Sequence, residues 1–274
     1  MALNDLKSKA LWLRQELFKM AMRQRKGHIP SSFSCAEILI SLYYGGIAKI
    51  TRGEPEDPNR DRVIVSKGHA AMSQYPILAD YDFFPKEELE RFTQKDGLLG
   101  MYADFRIPGI EGISGSLGHG IGMGAGFAMA ARQDNNPYNT FVIVGDGECY
   151  EGSIWESALF AAHRKLDNLV VIVDRNELCI MGKTEELLEL GDLEDKWRSF
   201  GWHSCSVDGH SFDELMPALN LVGKTNRKPL AIIASTVKGK GISFMEGRSE
   251  WHNRMPSDKQ LIEASIQLGI EVES

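Results

Sequence analysis

The chain has 274 residues, of which 43% are hydrophobic, and a formal net charge of −7 at neutral pH. That is enough chain and apolar content for a sizeable α/β core. The scattered lysines and arginines form no stripe of the kind that tracks a nucleic-acid backbone. The four cysteines, Cys35, Cys149, Cys179 and Cys205, show no close pairing, which excludes zinc-ribbon and redox spacings and fits a reduced compartment. Residues 1–29 carry Lys and Arg throughout, without the uninterrupted apolar run of a signal peptide or membrane span. The expected location is cytoplasmic, and the expected partners are small molecules or proteins, with no nucleic acid and no membrane.

In chain order, residues 3–25 place Leu6, Ala10, Leu13, Leu17 and Ala21 on one face and predict a long amphipathic first helix, stopped at Gly27-His28-Ile29-Pro30. Ser34 with Glu37 three positions on reads as a capping box opening a helix over 35–44. A polar, proline-containing loop, 51–59, leads to a short strand, 62–66, ending in Lys67-Gly68-His69, and then to a helix over 70–79. Residues 83–113 are irregular apart from a helix at 86–92, which suggests a functional loop. The small, apolar stretch 117–132, with glycines at alternate positions from 118 to 126, predicts a closely packed buried helix.

The most informative segment follows. An apolar β-branched run, 140–144, ends in Gly145-Asp146-Gly147-Glu148; a helix spans 152–166; a second apolar run, 169–174, delivers Asn176. Strand, helix and strand form one βαβ unit whose strand ends face the same crevice. Beyond it the pattern predicts a helix near 193–200, a strand near 202–207, a helix near 212–221 and a strand over 230–235 that feeds a loop, 236–241, containing Lys238. This alternation implies a doubly wound parallel sheet with helices on both faces, in a single domain over 1–274 with an N-terminal helical segment.

Asp146 offers a charged oxygen, Asn176 a neutral one, and a backbone carbonyl just beyond, that of Leu178, could complete a protein share for Mg2+ or Ca2+, leaving positions for phosphate oxygens. Asp and Asn are also ordinary turn residues at strand ends, so this pair alone leaves a structural reading open. The glycine run 118–126 is not a nicotinamide-dinucleotide fingerprint, because no strand immediately precedes it and no ribose-binding acid follows at the usual interval. His69, Asp146 with Asn176, and Lys238 with His252 all follow apolar strands, where α/β sheets bind their ligands.

At these residues the chain resembles the amino-terminal half of transketolases, especially those split into two subunits. The resemblance rests on ordered motifs: Lys26-Gly27-His28, Ser34 to Leu39, Ser66-Lys67-Gly68-His69, Gly115-Ser116-Leu117-Gly118-His119-Gly120, Gly145-Asp146-Gly147-Glu148, Lys165 to Leu169, Asp174-Arg175-Asn176, Lys238 to Gly241, and Trp251-His252. It implies a thiamine-diphosphate domain of the transketolase fold. Asp146, Asn176 and the Leu178 carbonyl would bind the metal. His69, Gly147, Glu148, Lys238 and His252 would line the diphosphate or reacting centre, and Gly115, Ser116 and Leu117 would contact the cofactor rings. His28, His69 and His252 would be the catalytic histidines, with His28 at the sugar oxygens. Glu151 and Glu156 would lie near a subunit interface.

The implied reaction moves a two-carbon ketol unit from a ketose, such as a sugar phosphate, to an aldehyde acceptor. The resemblance further implies a C-terminal transketolase subunit carrying the pyrimidine-binding domain, in a heterotetramer, with this chain inactive alone. One departure bears on substrate. Where the family has Gly-His-Pro, this chain has Gly100-Met101-Tyr102, so Met101 stands at the expected histidine and points to an altered substrate. Alternatives are an α-keto-acid carboligase of the same cofactor class and a non-catalytic regulatory homologue.

Overall fold

The computed structural model describes residues 1–271. The chain begins with α1 (Leu3–Gln24), whose inward face includes Leu6, Ala10, Leu13, Leu17 and Ala21, the stripe expected from the sequence. Pro30 does more than stop that helix. It occupies the first turn of α2 (Ile29–Ser34), where its missing N–H is not needed. Ser34 therefore ends a helix and does not cap α3 (Ala36–Tyr43), whose N-cap is Cys35 without a side-chain bond. Its hydroxyl lies near the Ser31 carbonyl and Asp174 instead. Glu37, the other half of the expected capping box, pairs with Arg14 through two 2.7 Å bonds and with His210.

The chain continues through β1 (Arg62–Val65), a 3-10 turn over Gly68–Gln74 and α4 (Tyr75–Asp80), so the expected 70–79 helix is α-helical only in its second half. The expected helix at 86–92 is a 3-10 segment, Lys86–Arg91. Next come α5 (Gly120–Gln133), β2 (Thr140–Gly145), α6 (Gly152–His163), β3 (Leu169–Arg175), the short α7 (Thr184–Leu187) and α8 (Leu193–Ser199). The chain then runs through β4 (His203–Asp208), α9 (Phe212–Leu219), β5 (Leu230–Ser235) and α10 (Asp258–Gln267). The glycine-rich helix starts later than its composition suggests because Gly118 adopts φ +85, outside the right-handed helical region. Gly124 lets α5 lie on the sheet; a Cβ there would come within 2.6 Å of Val142.

The five strands form one sheet in the order β1-β2-β3-β5-β4, every pair parallel. Val63, Phe141, Ile143, Val170, Ile172 and Ile232 face the core shared with α1 and α3. Val142, Val144, Val171, Val173 and Ile233 face a second core with α5, α6 and α8. Burial on both faces is why these strands read as continuous apolar runs, and the arrangement is the doubly wound α/β sheet expected. Parallel pairing brings the carboxyl ends of β1, β2, β3 and β5 to one edge. Among the described residues no helix is long and apolar enough to cross a membrane.

Candidate active site

That edge opens into a cleft of about 650 Å³, lined by residues from each of the four strand ends. β1 delivers Lys67 and His69, β2 delivers Asp146, Gly147 and Glu148, β3 delivers Asn176 and Leu178, and the loop after β5 delivers Lys238. His28, at the N-cap of α2, and His252, just beyond a 3-10 turn, close the rim.

Asp146 is 1% exposed. One carboxylate oxygen accepts from the Gly147 N–H at 2.7 Å and the other from the Glu177 N–H at 2.5 Å. Burial, then the neighbouring Asp174, push it up to about 6, outweighing the backbone N–H groups and the Arg175 guanidinium 3.5 Å away. The Leu178 carbonyl already receives a cation, the Lys238 ammonium, at 2.9 Å. Among the described residues no group of three or more His, Cys, Asp or Glu could hold a metal. The donor set of Asp146, Asn176 and the Leu178 carbonyl is thus one charged and two neutral oxygens. It fits a hard divalent cation only when a ligand supplies further oxygens, as a diphosphate would. Gly147 is needed for close approach, since a Cβ there would sit 3.0 Å from that of Cys179.

Above this floor three imidazoles meet. Ring centroids lie 5.8 Å apart for His28 and His69, 5.5 Å for His28 and His252, and 5.0 Å for His69 and His252. The Nδ1 atoms of His28 and His252 are buried without a hydrogen-bond partner among the described residues. All three are held below the usual histidine range, first by burial. Lys238 adds to the effect at His28, Lys67 at His69, and Lys238 again at His252, which falls to about 3. Burial also lowers Lys238 to about 8. At neutral pH the cluster is therefore three neutral imidazoles, each able to donate and accept a proton.

These shifts set a pH dependence. A histidine held below its unfolded value of about 6.5 binds fewer protons folded than unfolded, so stability is expected to fall as pH drops through about 6.5. Asp146 acts oppositely between about 4 and about 6, one group against three. Urea midpoints measured without ligand at about pH 7.5 and about pH 5.5 should decrease on acidification. A midpoint that rises would contradict the buried neutral cluster.

Other expected positions lie differently. Gly115 and Leu117 line the cleft, but Ser116 is exposed and does not. Glu148 borders it, yet its carboxylate turns back to accept from Ser66, the Gly118 N–H at 2.8 Å and the Gly145 N–H at 3.1 Å, bracing the turn. Glu151 and Glu156 are exposed at the start of α6, outside the cleft. Met101 packs against the main core and does not line the cleft; its neighbour Tyr102 does.

Sequence reasoning also missed the ion pair beneath the site. Lys67 and Asp174, 1% and 0% exposed, pair directly, and Ser34 and Thr236 donate to the same carboxylate. Both residues stood inside recognised motifs, but their separation of 107 positions hid the contact.

Residues 14–274 match the family described as the transketolase thiamine diphosphate binding domain. The chain is 37% identical to one of the subunits of the apulose-4-phosphate transketolase of Phocaeicola vulgatus, over 95% of this chain and 92% of that one. It is 40% identical to a 6-deoxy-6-sulfo-D-fructose transketolase subunit from a Clostridium species, over 91% and 90%. Among solved structures, the transketolase of Campylobacter jejuni superposes with a TM-score of 0.91 at 29% identity, over 99% of this chain and 44% of that one.

Proposed function

The chain belongs to the transketolase family through its thiamine-diphosphate-binding domain, and from that premise we propose that residues 1–274 act as one such domain, with an N-terminal helical segment, in a two-subunit transketolase. The reaction is transfer of a two-carbon ketol unit from a ketose, a sugar phosphate or similarly anionic sugar, to an aldose acceptor. Thiamine diphosphate, when bound, supplies the carbanion chemistry. This chain's residues bind, orient and move protons.

Asp146, Asn176 and the Leu178 carbonyl would hold Mg2+ or Ca2+, with Gly147 and Lys238 at the diphosphate. Gly115 and Leu117 would meet the cofactor rings. His28, His69 and His252 would exchange protons with the sugar oxygens and the cofactor. The observation that carries the reading is the neutral imidazole cluster, with centroids as close as 5.0 Å, standing over an oxygen-donor floor that is incomplete without a diphosphate. Such groups serve as donors and acceptors at neutral pH without first losing a proton.

A partner subunit with the pyrimidine-binding domain is part of the proposal. Two relatives of similar length carry the word subunit in their names, which supports it. The outward face of α6, with Glu151 and Glu156 beside exposed Leu159 and Phe160, suits burial against another chain. Co-expression with the C-terminal subunit should give a complex that transfers ketol units and melts higher with thiamine diphosphate and Mg2+. Transfer by this chain alone would overturn the partner requirement. A complex with neither transfer nor a melting shift would overturn the function.

A further inference from the structure

One part of the cleft wall is built around Tyr102. The Tyr75 hydroxyl donates to the Gly100 carbonyl at 3.0 Å, and Met101 is anchored in the main core. Directly after these two anchors Tyr102 lines the opening. Its ring lies 6.4 Å from His28 at 45° and covers the bare backbone of Gly115, with Cγ 3.9 Å from where a Cβ would stand. The side chain is 46% exposed, and among the described residues its hydroxyl has no hydrogen-bond partner.

The surroundings of that ring are uncharged. His28 and His252 are held neutral at neutral pH, and Asn253, which also lines the cleft, carries no charge. The charged side chains that line the cleft are Lys67, Asp146, Glu148 and Lys238, at the strand ends. Each already has a partner there: Asp174 for Lys67, the Leu178 carbonyl for Lys238, and backbone N–H groups for the two carboxylates. This wall therefore suits a neutral, hydroxyl-bearing carbon chain. It offers no charged side chain to a phosphate or other anion.

We propose that Tyr102 is a specificity-determining residue that reads the hydroxylated chain of the ketose beyond its carbonyl, while the anionic end of the substrate is held elsewhere. The assignment rests on the ketol-transfer reading above. An aromatic face packs against the C–H face of a sugar, and the phenol both donates to and accepts from a hydroxyl. Sites built to hydrogen-bond a substrate hydroxyl discriminate strongly against molecules that lack it.

The test compares two donors in the cofactor-loaded complex with its partner subunit. D-Xylulose 5-phosphate carries hydroxyls beyond the carbonyl. β-Hydroxypyruvate delivers the same two-carbon unit, taking up a proton and releasing carbon dioxide, and has no such chain. In Tyr102→Phe the ratio of kcat/KM for the ketose to that for hydroxypyruvate is expected to fall about tenfold, mainly through the ketose KM, as loss of one hydrogen bond requires. Tyr102→Ala should lower the ratio further; because both donors react through the same bound cofactor, any loss of cofactor affinity lowers both kcat/KM values and leaves their ratio unmoved. A ratio within about twofold of the parent in both variants overturns the assignment. A parent complex that binds thiamine diphosphate but transfers from neither donor overturns the ketol-transfer reading, and this assignment with it.

Discussion

Asp146→Ala is expected to lose the melting shift with thiamine diphosphate and Mg2+ and to reduce ketol transfer by the complex at least about a thousandfold. Asp146 is the only charged oxygen donor in the proposed metal set, because Asn176 and the Leu178 carbonyl are neutral and Glu148 is turned away into the Gly118 and Gly145 amides. A diphosphate carries several negative charges, so losing the cation leaves them in a buried site without their main counter-charge. Electrostatic clamps of this kind are commonly worth several kcal/mol, about the size of the expected rate loss.

The fold should survive this substitution. Burial disfavours the ionised Asp146, which sits up at about 6, so above that pH its removal relieves a penalty even as two backbone N–H groups lose their acceptor. A melting temperature near that of the parent without ligand, and no response to ligand, is therefore the diagnostic combination. Because cation and proton compete for this carboxylate, metal affinity in the parent chain should weaken as pH falls through about 6. An Asp146→Ala chain that keeps the full shift would remove the metal assignment.

The sheet was legible in the sequence for a simple reason. Strands buried on both faces need apolar residues at every position, and 140–144, 169–174 and 230–235 have them. Gly145-Asp146-Gly147 and Asn176 were legible as well, since parallel strands must deliver their carboxyl-end residues to one crevice. Side-chain direction in irregular backbone was not. Met101 and Tyr102 are adjacent, and no periodicity tells which faces the core; Tyr75 and the core contacts decide it. Ser34 likewise satisfies the local rule for a capping box, but Pro30 at the start of α2 and the distant Asp174 claim it for another role. Local rules fail where a contact across the fold outweighs them.

Lys67→Met is expected to cost about 3–5 kcal/mol of folding stability, because it leaves the carboxylate of Asp174 fully buried without its ammonium. In the native chain burial works against the charge on both groups, yet their mutual attraction outweighs it: Lys67 is raised and Asp174 lowered from their ordinary values. The raised lysine contributes stability present below its unfolded value of about 10.4 and lost as pH rises through the folded one. The lowered aspartate contributes stability present above about 3.9 and lost as pH falls through the folded one. Between those limits the pair contributes fully, so the deficit of Lys67→Met should be largest near neutrality and shrink in acid, where Asp174 takes up a proton. Lys67→Met with Asp174→Leu should recover much of the loss, since removing both charges also removes the buried-charge penalty. The site should loosen in the single variant for a local reason: Lys67 also donates to the Ser31 carbonyl at 2.8 Å and lies 3.3 Å from the Ser34 hydroxyl, holding α2, and His28 at its start, against the strand ends. Urea unfolding of the single and double variants at neutral and acid pH reads all of these effects. A single variant that loses less than about 1 kcal/mol, or a double variant no more stable than the single, would show that the pair does not anchor α2 to the sheet.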